Sequence, residues 1–137
     1  MAKQFTLGQG ERLKSRKLIE QLFSEGKNFS SQSYRVYYLF SSHNHNSQFN
    51  IQFGVGVSAK NFKKAVNRNR VKRITREAYR IQKTGLQNKL NTNALQLNIF
   101  FIYTGKELPD FNTAKEKLAV ILNRLIKIID EKISSNS

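Results

Sequence analysis

Residues 51–80, IQFGVGVSAKNFKKAVNRNRVKRITREAYR, change their period partway along, and that change decides the fold. First, Ile51, Phe53, Val55 and Val57 alternate with Gln52, Gly54, Gly56 and Ser58, the pattern of a strand with one apolar face. Then Val71, Ile74, Ala78 and Ile81 recur at spacings of three and four, which lays an apolar stripe along a helix running to about Gly85. A strand feeding a helix is half of a crossover unit. The other half follows a polar loop: ALQLNIFFIY, 94–103, is almost continuously apolar, as expected of a strand covered on both faces and parallel to its neighbour.

Working outward, YRVYYLFSS at 34–42 is aromatic and β-branched and reads as a strand. Only the polar HNHNSQ separates it from the alternating run, so the two are expected to pair antiparallel. Upstream, SRKLIEQLFSEG sets Leu18, Ile19, Leu22 and Phe23 at helical spacing between a Ser15 cap and a Gly26 stop. Downstream, TAKE reads as a capping box of Thr113 and Glu116. The helix it opens points Leu118, Ile121, Leu122, Leu125, Ile128 and Ile129 inward and should fray in the closing SSNS. The prediction is α+β: one domain over 1–137, with about four strands, three helices and loose ends near 1–10 and 133–137. With 39% hydrophobic residues and ten Phe and five Tyr, the chain can bury a core.

Charge narrows the function. The chain carries 24 Lys and Arg against 9 Asp and Glu, and between Gly26 and Lys106 the only acid is Glu77. Residues 65–80 alone hold six basic side chains. On the helix Arg68, Lys72 and Arg76 align at i, i+4, i+8, while Arg70, Arg73, Glu77 and Arg80 flank another face. Like charges so placed destabilise a free helix by a few tenths of a kcal/mol per pair, so a polyanion is the expected partner. No stretch approaches the roughly 20 apolar residues of a membrane span. MAKQFTLGQG lacks a signal-peptide core, and a cytoplasmic location without membrane contact is expected.

Catalytic signals are weak. There is no cysteine, which removes disulfides, thiol nucleophiles and the usual zinc sites. His43 and His45 sit in a polar turn with no acid beside them and read as solvated. FGVGVS lacks the third glycine of a dinucleotide loop and lies inside a strand. Glu77 is better placed to pair with Arg73 or Arg80 than to act as a base. No catalytic residue and no protein-bound metal is expected. A mixed Arg and Lys face suits a nucleic-acid backbone. Tyr34, Tyr37 or Tyr38 would stack on unpaired bases.

FGVGVSAK at 53–60, followed by AVNRNRVKRITREAYR at 65–80, closely resembles the signature of the protein subunit of bacterial ribonuclease P, in Arg68-Asn69-Arg70, Lys72-Arg73 and Arg76-Glu77. RLKSRKLIEQLFSEGK is similar to that family's first helix and YRVYYLF to its aromatic strand, while the C-terminal strand and helix agree in type and order. The resemblance implies an α-β sandwich with a central mixed sheet and a left-handed βαβ crossover, against the right-handed rule. It implies a holoenzyme subunit that helps a catalytic RNA cut the 5′ leader from precursor tRNA, with Mg²⁺ at the RNA's active centre. The implied partners are catalytic RNA and precursor tRNA, not DNA.

Carried over by position, Arg68, Asn69, Arg70, Lys72, Arg73 and Arg76 would contact the catalytic RNA. Ile19, Phe23, Arg35, Tyr37 and Lys60 would line the leader cleft, with Gly54 and Gly56 allowing close backbone approach. Two positions depart from the family pattern. AKNFKKAV lacks the Gly-Asn usual before Ala-Val, so Lys63 and Lys64 would supply charge there, and Ile19 stands where Phe is common. A ribosomal or general structural RNA-binding protein is the alternative. A sequence-specific DNA binder would need a helix-turn-helix pair, which the strand-rich surroundings disfavour.

Overall fold

In the computed structural model, which describes residues 12–42 and 50–135, the period change after Val57 does separate a strand from a helix. In chain order the elements are α1 (Arg16–Glu25), β1 (Lys27–Ser31), β2 (Tyr34–Ser42), β3 (Ile51–Val57), α2 (Ala65–Arg80), α3 (Thr84–Thr92), β4 (Leu95–Tyr103) and α4 (Phe111–Ser135). The class is the expected α+β, but four helices are described rather than three. His43, His45, the expected loose end at 1–10 and residues 136–137 of the one expected at 133–137 lie outside the described residues, while 133–135 belong to the last helix.

The sheet order is β1-β2-β4-β3, so β2 and β3 do not pair with each other. β4 lies between them, antiparallel to β2 and parallel to β3. The apolar content of β4 explains the insertion. Leu97, Ile99, Phe101 and Tyr103 are buried on one face and Phe100 and Ile102 half-buried on the other, so an interior place removes more apolar surface from water than an edge would. On β3, Ile51, Phe53 and Val55 are buried and Val57 packs against the core, as the alternation requires.

β1 escapes sequence reading because KNFSS offers only Phe29 to the core. It is held as a hairpin on β2, through a two-residue turn in which Gln32 and Ser33 both take positive φ, 55° and 68°. α3 occupies what reads as a polar loop, and α2 accordingly stops at Arg80 rather than near Gly85. Only Leu86 and Leu90 of α3 are buried. Its remaining support is tertiary: buried Asn50 donates Nδ2 to the Gln87 carbonyl at 3.0 Å and to Asn91 Oδ1 at 2.7 Å, and Lys89 pairs with Asp130 of α4.

The α1 caps are as expected, with Ser15 Oγ accepting from Leu18 N–H and Gly26 closing the helix. The α4 cap is not. Asp110, not Thr113, supplies the capping oxygen: its Oδ1 accepts the Thr113 N–H at 2.7 Å, and that bond holds the Asp110 carboxyl below its usual range. α4 buries Leu118, Ile121, Leu122, Leu125 and Ile129, leaves Ile128 half-buried, and continues to Ser135. α2 and α4 cover one sheet face, and α1 lies on the other.

Candidate nucleic-acid interface

α2 is fastened to the core on one side only. Val71, Thr75, Ala78 and Tyr79 are buried. The Tyr79 ring lies parallel to that of Phe53 at 4.0 Å and 2°, and Thr75 Oγ1 shares a 2.7 Å hydrogen bond with the Tyr34 hydroxyl. Burial, opposed by that bond, pushes the Tyr34 phenol up to about 12. Tyr34 is therefore an anchor beneath the helix, and its expected stacking role is withdrawn. Tyr38 is half-buried on the same face, beside Phe29 and Phe40, so Tyr37 alone of the three reaches the opposite face.

Away from that anchor, Asn69, Arg70 and Arg73 are exposed, and Arg68, Lys72 and Arg76 are half-exposed along one flank. Arg80 is neutralised by Glu77, whose carboxyl the Arg80 hydrogen bond holds below its usual range. Arg70, Lys72, Arg73 and Arg76 have no carboxylate partner among the described residues. Arg68 differs: its Nη1 donates to the carbonyls of Phe62 and Lys63, both at 2.8 Å, so this guanidinium also orders the loop that enters the helix. Buried Phe62 pins the loop, and Asn61 Nδ2 ties it to the carbonyls of Thr104 and Gly105 at 3.3 and 3.5 Å.

The loop displays Lys60, Lys63 and Lys64, all exposed. Lys64 is itself the N-cap, offering no side-chain hydrogen bond, and no acid stands in the first turn. That inverts the usual preference for negative charge at a helix N-terminus. It leaves N–H donors and ammonium groups directed at the same solvent, an arrangement complementary to phosphate.

The outer face of the sheet is a second surface. Strand register aligns Asn28, Tyr37, Phe100 and Gly54 in one row and Ser30, Arg35, Ile102 and Gly56 in the next. Phe23 of α1, 43% exposed, leans over the first row, 4.8 Å from the Tyr37 ring and edge-on to Phe100 at 5.4 Å. Ile19 is half-buried one turn earlier, and Arg35 is exposed with Nη1 on Asn28 Oδ1 at 3.1 Å.

Gly54 and Gly56 need a correction. A Cβ at Gly54 would fall 2.6 Å from Phe100 Cδ2, and one at Gly56 3.1 Å from Cε1. The space they leave is filled by the chain's own Phe100 ring, and the glycines support the aromatic floor rather than admitting a nucleic-acid backbone. Phe100 was missed by sequence reading. Its signal was the break in alternation at Phe100-Phe101, which puts a large ring on each face. Arg12 was also missed, where the N-terminal segment bridges to Phe53 at the edge of β3.

No group of three or more His, Cys, Asp or Glu side chains able to hold a metal occurs among the described residues, and no helix among them is long and apolar enough to cross a membrane. The sequence model of the family Ribonuclease P matches residues 7–126. The ribonuclease P protein component of Porphyromonas gingivalis is 39% identical over 121 residues, spanning 88% of this chain and 87% of that protein. That of Chlorobium phaeobacteroides is 29% identical over 128 residues, 88% of each. Among solved structures, the RNase P protein of Thermotoga maritima matches with a TM-score of 0.61 at 29% identity, over 83% of this chain and 96% of that one. That of Staphylococcus aureus gives 0.62 at 20% identity, over 84% and 94%.

Proposed function

The chain belongs to the ribonuclease P protein family, and on that premise we propose that α2 and its entry loop grip the catalytic RNA while the outer sheet face holds the 5′ leader of precursor tRNA. It is a subunit of ribonuclease P, the ribonucleoprotein endonuclease of tRNA 5′ processing, in which the RNA carries the chemistry. The observation that carries the residue-level reading is the set of cations Arg70, Lys72, Arg73 and Arg76, without a carboxylate partner among the described residues, on a helix whose other side is locked to the core. Such a ridge meets a polyanion with its charges already positioned, and each phosphate it neutralises adds about 0.7–0.9 to the salt slope of binding. Arg68, Asn69, Lys60, Lys63 and Lys64 extend it around the helix N-terminus.

The outer face suits an unpaired strand. Phe23, Tyr37 and Phe100 offer ring surface, and stacking is worth about 1–3 kcal/mol per base and tolerates any sequence. Ile19 adds apolar contact, and Arg35 a guanidinium beside the rings. Holding leader and catalytic RNA together raises substrate affinity without any chemical group from the protein. The described residues offer no carboxylate cluster for Mg²⁺, and its expected place is the RNA's active centre, where it would activate water.

Cleavage of precursor tRNA by the catalytic RNA at low Mg²⁺, with and without this protein, tests the proposal. Strong stimulation that requires a leader is the expected result. Equal binding of leader-bearing and mature tRNA, with no stimulation, would leave a general structural RNA-binding protein instead.

A further inference from the structure

Arg12 is exposed and opposes Phe53 in a parallel bridge at the edge of β3, with the Leu13 N–H donating to the Phe53 carbonyl at 2.9 Å. Opposed residues of paired strands send their side chains to the same face, so Arg12 leaves on the side of the Phe53 ring. That ring is the one stacked on Tyr79, and Arg76 precedes Tyr79 by just under one helical turn. The two guanidiniums are thus brought together from different elements. Burial, and secondarily the charge of Arg12, lower the pKa of Arg76. Neither arginine has a carboxylate partner among the described residues.

The next residue looks the other way. Leu13 is buried, and its carbonyl lies 3.2 Å from where a Gly54 Cβ would stand on the outer face. One short segment therefore borders the basic ridge with Arg12 and the aromatic face with Leu13. Two like charges held together without an acid destabilise the free protein, and an anion between them reverses the sign. Guanidinium forks grip phosphate oxygens in a fixed, bidentate geometry.

We propose that Arg12 and Arg76 form a clamp on a single RNA phosphodiester at the seam between the ridge and the aromatic face. It rests on the functional reading above and adds to it a residue outside the basic helix. Two strands pass this seam, catalytic RNA and precursor leader, and both present the same phosphodiester.

The test is a double-mutant cycle with Arg12→Gln, Arg76→Gln and the double variant. Affinity is measured over a range of salt for catalytic RNA alone, then for leader-bearing and mature tRNA on the reconstituted holoenzyme. A shared phosphate predicts that each single change weakens the same arm by about tenfold, and that the double variant loses no more than about threefold beyond either single. The salt slope should fall once, by about 0.7–0.9. The arm that loses affinity identifies the RNA supplying the phosphate. Losses that multiply, with the slope falling twice, would mean two separate contacts and overturn the clamp, as would an Arg12→Gln variant that binds like wild type.

Without RNA and at low salt, Arg12→Gln should melt at or above the wild-type temperature, because it removes repulsion. A lower melting temperature with unchanged RNA affinity would make Arg12 a structural residue. Stimulation of precursor cleavage by the unmodified protein is read alongside and answers a separate question: it survives even if the clamp does not exist.

Discussion

α2 and α4 pack on the same face of the sheet, yet they use charge in opposite ways. α2 has six basic residues and one acid in sixteen, whereas α4 has five basic and three acidic in twenty-five. On α4 three of the five cations have partners inside the fold. Arg124 lies 4.2 Å above the Phe29 ring, Lys132 5.3 Å from that of Phe40, and Lys117 Nζ donates to Ser33 Oγ at 3.2 Å. On α2, among the described residues, only Arg80 and Arg68 are engaged, by Glu77 and by loop carbonyls. Charge that serves the fold finds its counterpart in the chain, and charge that serves a partner is left without one.

The sharpest way to break that contrast is to remove both kinds of charge and compare. Replacing Arg70, Lys72 and Arg73 together by Gln should lower the salt slope of catalytic-RNA binding by about 2–3 and weaken binding by at least about a hundredfold, with the melting temperature unchanged or raised. Arg124→Gln with Lys132→Gln should do the reverse: RNA affinity within about twofold, and stability lower by about 1 kcal/mol in total from the lost cation–π contacts. If the α4 pair lost as much RNA affinity as the α2 triple, the contrast would be empty.

The anchor under α2 gives the next largest effect. Tyr34→Phe leaves the buried Thr75 hydroxyl without its 2.7 Å partner and should cost about 1–2 kcal/mol. The pH dependence has a definite sign. The Tyr34 phenol is raised to about 12 in the folded state, so the stability it contributes is fully present below its unfolded value, near 10, and is lost as pH climbs toward 12. Urea unfolding across that window should show the wild type losing stability faster than Tyr34→Phe. Parallel curves would mean the phenol is not the group titrating.

How far the sequence reaches depends on whether a feature is local. The strand period of β3, the stripe of α2 and both caps of α1 depend on near neighbours, and all are legible. β1 and α3 are not, since KNFSS and TGLQNKLNT carry one and two core residues and owe their shape to β2, Asn50 and α4. The strand order is likewise a competition among distant segments for the interior, which periodicity does not record. At the interface, the ridge is legible because missing acids can be counted. Alternation separates Tyr37 from Tyr34 and Tyr38, but which face each takes waits on where α2 packs. Gly54 and Gly56 mark a close approach correctly, while the approaching group is Phe100, more than forty residues away.

The aromatic face should be more selective and less strong than the ridge. Phe23→Ala is expected to weaken leader-bearing tRNA about tenfold more than mature tRNA, the worth of roughly one stacked base. With 43% of Phe23 exposed, its truncation should leave the fold standing. Equal losses on both tRNAs would reassign the ring to packing alone.

The smallest effect comes from a position that touches neither surface. Ala94 follows the C-cap of α3, is exposed, and sits at φ 53°, a left-handed conformation that glycine adopts freely. For an L residue that conformation costs about 1–2 kcal/mol, against about 0.5–1 kcal/mol of extra chain entropy that glycine loses on folding. The first exceeds the second, and an exposed methyl gives up little packing, so Ala94→Gly should stabilise by about 0.5–1 kcal/mol and raise the melting temperature by a few degrees. RNA affinity and its salt slope should not move. A variant that melted lower would show that the Ala94 methyl is holding the α3–β4 joint. One that bound RNA differently would show that the ridge responds to stability elsewhere, and the separation between charge for the fold and charge for the partner would fail at its simplest point.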